Sequence, residues 1–329
     1  MKTYFVTGGA GFIANTILRR LVNENKIVVY DNFSRDTLTR SDLNGHPNIK
    51  VIRGDVLDAP HLTESMAGAD AVIHTAGIAG IDTVLKDPVR TMHVNMIGTA
   101  NMLQAAQKNK ISHRVVDFST SEVFGPMAYN SAENDQTVAG SAGEARWTYA
   151  VSKLAGEHLA KSYFHQHKLP VVVVRPFNVY GPGQTGEGAM QIFIKKALRH
   201  EEIQIHGDGS QIRAWCYVND FVDAIMCCLT NPLAVGETFN IGNARAVITI
   251  LGLAQTVCRV LGSRSEIKFV DPLSADVAIR IPSVRKSQEL LNFKAQVDLV
   301  EGILKTAEWV QADENARNGA APVGVRKAG

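Results

Sequence analysis

Short apolar runs alternate with longer stretches of helical periodicity along the first half of the chain. Each run is long enough for one strand and stops at a glycine or a polar residue, after which a helical stretch begins. Strands that alternate with helices at this spacing are typical of a parallel, doubly wound α/β sheet. The predicted strands of this half lie at residues 2–7, 27–30, 51–56, 71–77, 113–118 and 171–174.

The second half alternates too, and its elements predict a smaller C-terminal α/β substrate-binding domain. Helices are expected at residues 191–198, 220–229, 249–261 and from 283, with a short strand at 203–205. We expect this domain to cover residues 176–312, interleaved with a first domain over residues 1–175, and to hold the substrate in the cleft between them. Residues 313–329 lack periodicity and predict a mobile tail.

Composition and charge narrow the class of protein. The chain has 329 residues, of which 45% are hydrophobic and 20% charged, as expected for a globular protein with a sizeable core. A net charge of +2 gives no reason to expect nucleic acid or an anionic membrane as partner. The four cysteines lack metal-ligand spacing and predict core thiols, so no metal is expected. Residues 1–3 lead directly into a strand, and no apolar run approaches the length of a membrane span, so we expect a cytoplasmic protein.

A glycine turn follows the first strand. Gly8 and Gly11 fall in the pattern G-x-x-G-x-x-A, with Ala14 at the third position, where a small residue permits close helix–strand packing. Glycines let the backbone approach a pyrophosphate, and the helix N-terminus supplies free N–H groups and a positive dipole end. Strand, glycine turn and helix together predict a dinucleotide-binding Rossmann domain over residues 1–175.

The ends of the next strands carry polar side chains that fit the rest of a dinucleotide. Asp31 ends the second strand, where a carboxylate accepts hydrogen bonds from the adenosine ribose and repels a 2′-phosphate, so NAD is favoured over NADP. Arg35 nearby could bind such a phosphate and keeps NADP open. Asp55 could cap the adenine amino group, and residues 75–77 could pass close to the nicotinamide. His74 is expected to be a hydrogen-bonded histidine at a buried strand end.

Two patterns in the middle of the chain predict alcohol oxidation. Tyr149 and Lys153 are four residues apart and share one helix face. We expect the lysine to lower the pKa of the tyrosine, so that the tyrosine takes a proton from a substrate hydroxyl near neutral pH. Thr120, Ser121 and Glu122 follow the strand at 113–118, where side chains of such sheets face ligands. Either pattern alone also fits a helix surface or a turn.

As a set, these motifs resemble the extended short-chain dehydrogenase/reductase family, the group of NAD-dependent nucleotide-sugar epimerases, dehydratases and decarboxylases. The similarity runs from about residue 2 to about residue 309. The matching stretches are residues 7–13 (T-G-G-A-G-F-I), Asp31-Asn32, Gly54-Asp55, Tyr149 with Lys153, residues 175–182 (R-P-F-N-V-Y-G-P), residues 207–211 (G-D-G-S-Q) with Arg213, and residues 240–242 (N-I-G).

The resemblance implies a catalytic triad and a tightly bound NAD. Tyr149 would take the proton of the sugar 4-hydroxyl, Thr120 would hydrogen-bond the same oxygen, and Lys153 would hold the nicotinamide ribose. Ser121 and Glu122 would act on the oxidised sugar. The residues implied for NAD are Gly8, Gly11, Phe12, Ile13, Asp31, Asn32, Asp55, Val56, Thr75, Ala76, Gly77, Asn95, Tyr149 and Lys153.

The resemblance also implies a nucleoside diphosphate sugar, UDP-linked, as the substrate. Asn178, Gln184, Arg213 and Arg280 match its binding positions, and an arginine fork suits phosphate oxygens. Family members usually form homodimers through a four-helix interface, here from helices near residues 95–108 and 149–165. Apolar faces on these helices fit an ordinary core equally well.

The resemblance implies that oxidation at C4 gives a 4-keto sugar. This intermediate can be epimerised, decarboxylated or dehydrated, and in all three reactions the hydride returns to the same sugar. Ser121 stands where the family's 4,6-dehydratases carry an aspartate, which disfavours dehydration. Thr-Ser-Glu followed by Val-aromatic-Gly resembles UDP-glucuronate decarboxylases, as does Arg146-Trp147. Epimerisation is the commonest outcome in the family. We therefore expect a UDP-sugar 4-epimerase, with a UDP-glucuronate decarboxylase close behind and a dehydratase that uses Glu122 after that.

Two other classes of protein compete with this interpretation. A reductase or dehydrogenase with net redox chemistry would use exchangeable NADP and a small carbonyl substrate, but the arginines matched to a diphosphate argue against it. A nucleotide-binding protein without turnover would be favoured by loss of Thr120, Tyr149 or Lys153. All three are present.

Overall fold

The computed structural model describes residues 1–186, 188–273 and 275–318. Its strands are β1 (Thr3–Thr7), β2 (Lys26–Asp31), β3 (Ile49–Arg53), β4 (Ala71–His74), β5 (Arg114–Phe118), β6 (Met127–Ser131), β7 (Val171–Pro176), β8 (Val179–Tyr180), β9 (Ile203–His206), β10 (Ile212–Ala214), β11 (Cys216–Tyr217), β12 (Thr238–Ile241), β13 (Val247–Thr249), β14 (Ile267–Val270) and β15 (Ile279–Pro282). Its α-helices are α1 (Phe12–Leu21), α2 (Ala59–Ser65), α3 (Ile81–Lys86), α4 (Pro88–Met92), α5 (Gly98–Lys108), α6 (Ala145–His167), α7 (Ala189–Leu198), α8 (Val218–Thr230), α9 (Ile250–Val260), α10 (Arg285–Leu291) and α11 (Leu299–Asn318).

A seven-stranded parallel sheet forms the centre of the molecule, in the order β12-β7-β5-β4-β1-β2-β3. Alternate side chains of its strands face two apolar layers, one shared with α1 and α8 and the other with α2, α5 and α6. The chain moves outward from β1 to β3 and then crosses to β4, so the order reverses between β1 and β4. Ligands of doubly wound sheets bind at this reversal. The predicted fold class is confirmed.

The two halves of the chain exchange strands. β12 comes from the second half and completes the edge of the central sheet beside β7. β6 comes from the first half and completes the smaller sheet, whose order is β13-β10-β15-β6. Each sheet is therefore completed by a strand from the other half of the chain, on the far side of residue 175.

The end of the chain differs from the predicted tail. α11 continues through Asn318, so residues 313–318 are helical rather than mobile. Ion pairs hold this turn: Arg317 contacts Asp313 at 2.6 Å, and Arg199 on α7 contacts Glu314 at 2.6 Å. Pairs four residues apart stabilise a helix even where its apolar pattern has ended. Residues 319–329 of the predicted tail lie outside the described residues.

A buried ion pair holds the middle of α6 against the sheet. Arg175 at the end of β7 donates from Nε and Nη2 to the two carboxylate oxygens of Glu157, at 3.0 and 2.7 Å. Both side chains are buried, and the guanidinium lies 4.8 Å from the ring centre of Phe124. Because α6 also carries Tyr149 and Lys153, this pair helps to fix the helix that presents them.

We predict that Glu157→Gln lowers the free energy of unfolding by about 3 kcal/mol, since breaking a buried pair leaves an uncompensated charge. Urea unfolding at neutral pH measures the loss. Glu301→Gln, which breaks the exposed Glu301–Lys305 pair, is the control and should cost about 0.5 kcal/mol or less. Equal losses in the two variants would contradict a structural role for the buried pair.

Candidate active site

The glycine turn brings the backbone of two strand ends into direct contact. Gly8 has φ +67°, and a Cβ atom there would lie 2.6 Å from the backbone nitrogen of Ala76. Only glycine satisfies both the left-handed conformation and this approach. Gly11 sits just before α1, so the free N–H groups of that helix point towards the turn. The predicted dinucleotide turn is present.

A cavity of about 630 Å³ opens beside this turn, at the carboxyl ends of the central strands. A volume of this size lies in the range of ordinary ligand and cofactor sites. Its lining includes these residues predicted from the sequence: Gly8, Gly11, Phe12, Ile13, Asp31, Asn32, Asp55, Val56, Thr75, Ala76, Gly77, Tyr149, Lys153 and Gln184. Gln184, which the sequence matches to the substrate, lines this same cavity.

The acidic side chains at the strand ends are held in place by hydrogen bonds. Asp31 accepts from the backbone nitrogens of Ala10 at 2.9 Å and Phe33 at 2.7 Å, which ties the second strand to the glycine turn. Asp55 accepts from the side chain of Asn32 at 3.3 Å and from the backbone nitrogen of Leu57 at 3.0 Å. Both carboxylates line the cavity.

Asn95 and His74 support the loop that follows β4. The Asn95 side chain accepts from the backbone nitrogen of Ile78 at 2.7 Å and donates to its carbonyl oxygen at 2.9 Å. These two hydrogen bonds hold the backbone of Ile78, which lines the cavity. His74 is buried and bonded through its ring nitrogens to Thr7 at 2.6 Å and Thr99 at 3.2 Å. The prediction of a satisfied, buried histidine is confirmed.

Tyr149 and Lys153 both line the cavity from one face of α6. The Tyr149 hydroxyl is hydrogen-bonded to Thr120, and the Thr120 oxygen also accepts from the backbone nitrogen of Glu122 at 3.2 Å. Burial raises the pKa of Tyr149 to about 12 and outweighs the opposing hydrogen bond from Thr120. The predicted lowering by Lys153 is therefore not observed, because burial of the phenol dominates.

Next to Thr120 and Tyr149, the structure gathers three arginines and two carboxylates, which we call the arginine cluster. Arg280 donates to Glu122 at 3.0 Å, and Arg146 lies 3.7 Å from the carboxylates of both Glu122 and Asp276. Arg213 contacts Asp276 at 3.4 Å. The three arginines are buried, so the cluster carries one excess positive charge away from solvent.

The arginine cluster has unused hydrogen-bond donors. Nε and Nη1 of Arg146 and Nε and Nη2 of Arg280 are buried without a partner among the described residues. Burial raises the pKa of Glu122, but Arg280 and Arg146 more than offset this and hold it below its usual range. Burial and the neighbouring Arg280 lower the pKa of Arg213 to about 10. Glu122 is thus ionised at neutral pH, and the cluster is suited to an anionic group.

The structure places the other predicted residues in supporting positions. Ser121 is buried at the start of a short 3₁₀ helix, Ser121–Phe124. Asn178, with φ +40°, donates to the carbonyl of Ala214 at 2.9 Å and ties β8 to the segment that carries Arg213. Sequence reasoning did not assign Arg146 or Asp276 to the site. Arg146 is three residues before Tyr149 on the same helix, a spacing that could have identified it. Asp276 lies in a loop without a sequence signal.

Comparisons with known proteins agree with this geometry. The model of the NAD dependent epimerase/dehydratase family matches residues 4–242. The chain therefore belongs to this family, within the extended short-chain dehydrogenase/reductase group. NAD is its cofactor, and the close approach at Gly8 and the carboxylate of Asp31 fit that molecule. In the part of the chain that the structure describes, no helix is long and apolar enough to cross a bilayer.

Relatives and solved structures with different reactions share the whole fold. A UDP-N-acetyl-alpha-D-glucosaminuronate decarboxylase of Bacillus cytotoxicus is 33% identical over 95% of this chain and 99% of its own length. UDP-glucuronic acid decarboxylase 5 of Arabidopsis thaliana is 34% identical over 91% of this chain and 86% of its own. The structure of UDP-glucuronic acid 4-epimerase from Bacillus cereus, in complex with UDP-glucuronic acid and NAD, has a TM-score of 0.87 at 26% identity and covers 94% of this chain and 99% of that chain.

We predict that Tyr149→Phe lowers turnover by a factor of about 100 or more, because it removes the hydroxyl that we expect to exchange a proton with the substrate. Steady-state rates with the proposed substrate measure the effect. Tyr163→Phe, on the same helix but outside the cavity, is the matched control and should retain activity. A rate near that of the unaltered protein for Tyr149→Phe would exclude Tyr149 as the acid–base group.

Proposed function

We propose that this chain decarboxylates a UDP-linked hexuronic acid. The observation that carries the proposal is the arginine cluster, whose excess positive charge and unpaired donors lie beside Thr120 and Tyr149. A buried site of this kind favours a substrate with negative charge close to the reacting carbon. A hexuronic acid has its carboxylate one bond from C5, next to the C4 hydroxyl that Tyr149 would contact.

The acid–base groups of the site favour decarboxylation over elimination. Elimination of a 6-hydroxyl needs a proton donor for the leaving oxygen. Ser121 stands where the dehydratases carry their aspartate, and Glu122 is ionised because its arginine neighbours hold its pKa low. Loss of carbon dioxide needs no such donor for a leaving hydroxyl.

The reaction balances without an added oxidant. The residues that would hold NAD include Gly8, Asp31 and Lys153, which line the cavity, and the bound cofactor would supply a reversible hydride acceptor for C4. A ketone at C4 lies beta to the C6 carboxylate, so the C5–C6 bond breaks, its electron pair moves into an enolate and carbon dioxide leaves. Tyr149 and Thr120 would hydrogen-bond the C4 oxygen, where the enolate charge develops. C5 would then take up one proton, which gives a UDP-4-keto-pentose. Return of the hydride to C4, with a proton from Tyr149 to the C4 oxygen, would give the UDP-pentose.

Two named relatives support the choice of acid sugar. Both the Bacillus cytotoxicus and the Arabidopsis thaliana proteins are decarboxylases of UDP-linked uronic acids. The test incubates the purified holoenzyme with UDP-glucuronate, UDP-N-acetylglucosaminuronate and UDP-glucose, and follows products by mass spectrometry and proton NMR. Formation of a UDP-pentose or its N-acetylamino counterpart with release of carbon dioxide is expected. No conversion of either uronate would overturn the proposal.

Epimerisation at C4 of the same uronate is the second candidate. The Bacillus cereus 4-epimerase, solved with UDP-glucuronic acid, shares the fold, and 4-epimerisation is what the sequence favours. Both reactions begin with the same ketone, and they differ in whether the carboxylate leaves. An unchanged mass with inverted C4 signals would assign the chain to this second reaction.

We also propose that the protein is a homodimer. Exposed Leu85, Val89 and Ile97 lie on α3, on α4 and on the π-helical turn before α5, segments that pack beside α6. These apolar side chains support an interface that includes α5 and α6. Light scattering on the eluting protein tests it, and a monomer mass would contradict it.

We predict that Arg146→Met weakens the binding of UDP-glucuronate about tenfold relative to UDP-glucose, since one charged hydrogen bond is worth about 1.5 kcal/mol or more. Calorimetry in the Tyr149→Phe background measures both dissociation constants without turnover. Arg199→Met, at an exposed ion pair, is the control. An equal loss for both ligands would mean that Arg146 contacts the diphosphate instead of the uronate carboxylate.

A further inference from the structure

Asp117 is a carboxylate in the middle of the central sheet. It lies in β5 between Val116 and Phe118, and only 1% of its surface is exposed. Strands of a parallel sheet covered on both faces are usually apolar throughout. A fully buried acid here is costly unless another group compensates its charge.

The sheet register places Asp117 in a polar row. It pairs with His74 on β4, which pairs in turn with Thr7 on β1. Side chains alternate along a strand, so Asp117 shares the face of Val115, which packs in the layer beneath α5 and α6. Thr7 and His74 are the last residues of β1 and β4, so the row lies at the carboxyl edge of the sheet. The next residues, Gly8 and Thr75, line the cofactor cavity.

The charged and titratable groups that face Asp117 can be assigned one by one. His74 uses its ring nitrogens for Thr7 and Thr99, and burial lowers its pKa to about 3, so it is neutral. Glu157 on α6 repels Asp117, and its own oxygens are taken by Arg175. Helix α6, which carries Lys153, packs against β5, and among the described residues that act on Asp117, Lys153 is the cation that compensates its charge.

Lys153 and Asp117 act on each other in the expected directions. Burial lowers the pKa of Lys153, and the Asp117 carboxylate opposes that change. Burial raises the pKa of Asp117 to about 6, against the opposing effect of Lys153. Oδ1 of Asp117 is buried and has no hydrogen-bond partner among the described residues. On the sheet side, the backbone of Phe118 lowers the pKa of Asp117 less than Lys153 does.

We propose that Asp117 is a positioning residue whose buried carboxylate is the counter-ion of Lys153, keeping the ammonium charged where it faces the cofactor cavity. A Cβ atom on Gly77 would lie 3.8 Å from Lys153 Nζ, so the ammonium is next to the loop that lines the cavity. A neutral amine would be a weaker donor to a ribose and would add no positive charge near Tyr149. The inference rests on the proposed role of Lys153 and not on the identity of the sugar.

The test measures the charge of Lys153 directly in the holoenzyme. Protein labelled with ¹³C at the lysine ε carbons is titrated by NMR, and the Lys153 signal is assigned by its loss in Lys153→Arg. We expect Asp117→Asn to lower the pKa of Lys153 by about one unit or more, the usual effect of removing a nearby opposite charge. The alkaline limb of the turnover profile should move to lower pH by a similar amount.

Two further variants keep the test decisive. Asp117→Leu places an apolar side chain in a buried strand and should give the same shift if the asparagine variant folds poorly. Asp70→Asn removes a carboxylate near the opposite end of the sheet, where it accepts from the backbone nitrogen of Thr3, and should leave Lys153 unchanged. An unshifted Lys153 in folded Asp117→Asn or Asp117→Leu would overturn the inference.

The result is independent of the reaction test. A shifted Lys153 in a protein that converts no uronate would sustain the role of Asp117 and reject the proposed decarboxylation. Release of carbon dioxide with an unshifted Lys153 would reject the role of Asp117 alone.

Discussion

A parallel sheet covered on both faces offers no solvent to a polar side chain, so each charge near its carboxyl edge needs a partner from another part of the chain. Arg175 forms an ion pair with Glu157, and Arg280 forms one with Glu122. These pairs join segments that are far apart in sequence. The need to pair buried charges therefore joins distant segments at the carboxyl edge of the sheet. The same pairs determine the electrostatic environment of the candidate active site.

The charges under and beside α6 are arranged before any substrate arrives. Tyr149 holds its proton in the buried site, while the arginines and Glu122 are ionised around it. Fixed charges in a low-dielectric site act strongly on charge that develops during a reaction, because they need no reorganisation. Under the proposed function, these charges would act on the carboxylate of the sugar, and selectivity would come from neighbours of the Thr–Tyr–Lys group.

Local patterns made much of the fold and of the cofactor site predictable. The glycine turn, Asp31 at a strand end and the Tyr149–Lys153 spacing each occupy a few consecutive residues, and alternation revealed the parallel sheet. The arginine cluster was not predictable as a unit, because its members come from separate segments: Glu122, Arg146, Arg213, Asp276 and Arg280. The pKa of Tyr149 depends on burial, which spacing along a helix does not report. The last turns of α11 were missed because ion pairs, rather than an apolar stripe, stabilise them.

The exchange of β6 and β12 has a consequence for how the chain folds as it is made. When residues 1–175 have left the ribosome, β7 still exposes an unpaired edge, since its neighbour β12 lies at Thr238–Ile241. Exposed strand edges invite pairing with other chains. The nucleotide-binding half can complete its sheet only after synthesis has passed Ile241. Biosynthesis therefore includes an interval in which a nearly finished sheet has one edge open to pairing with other chains.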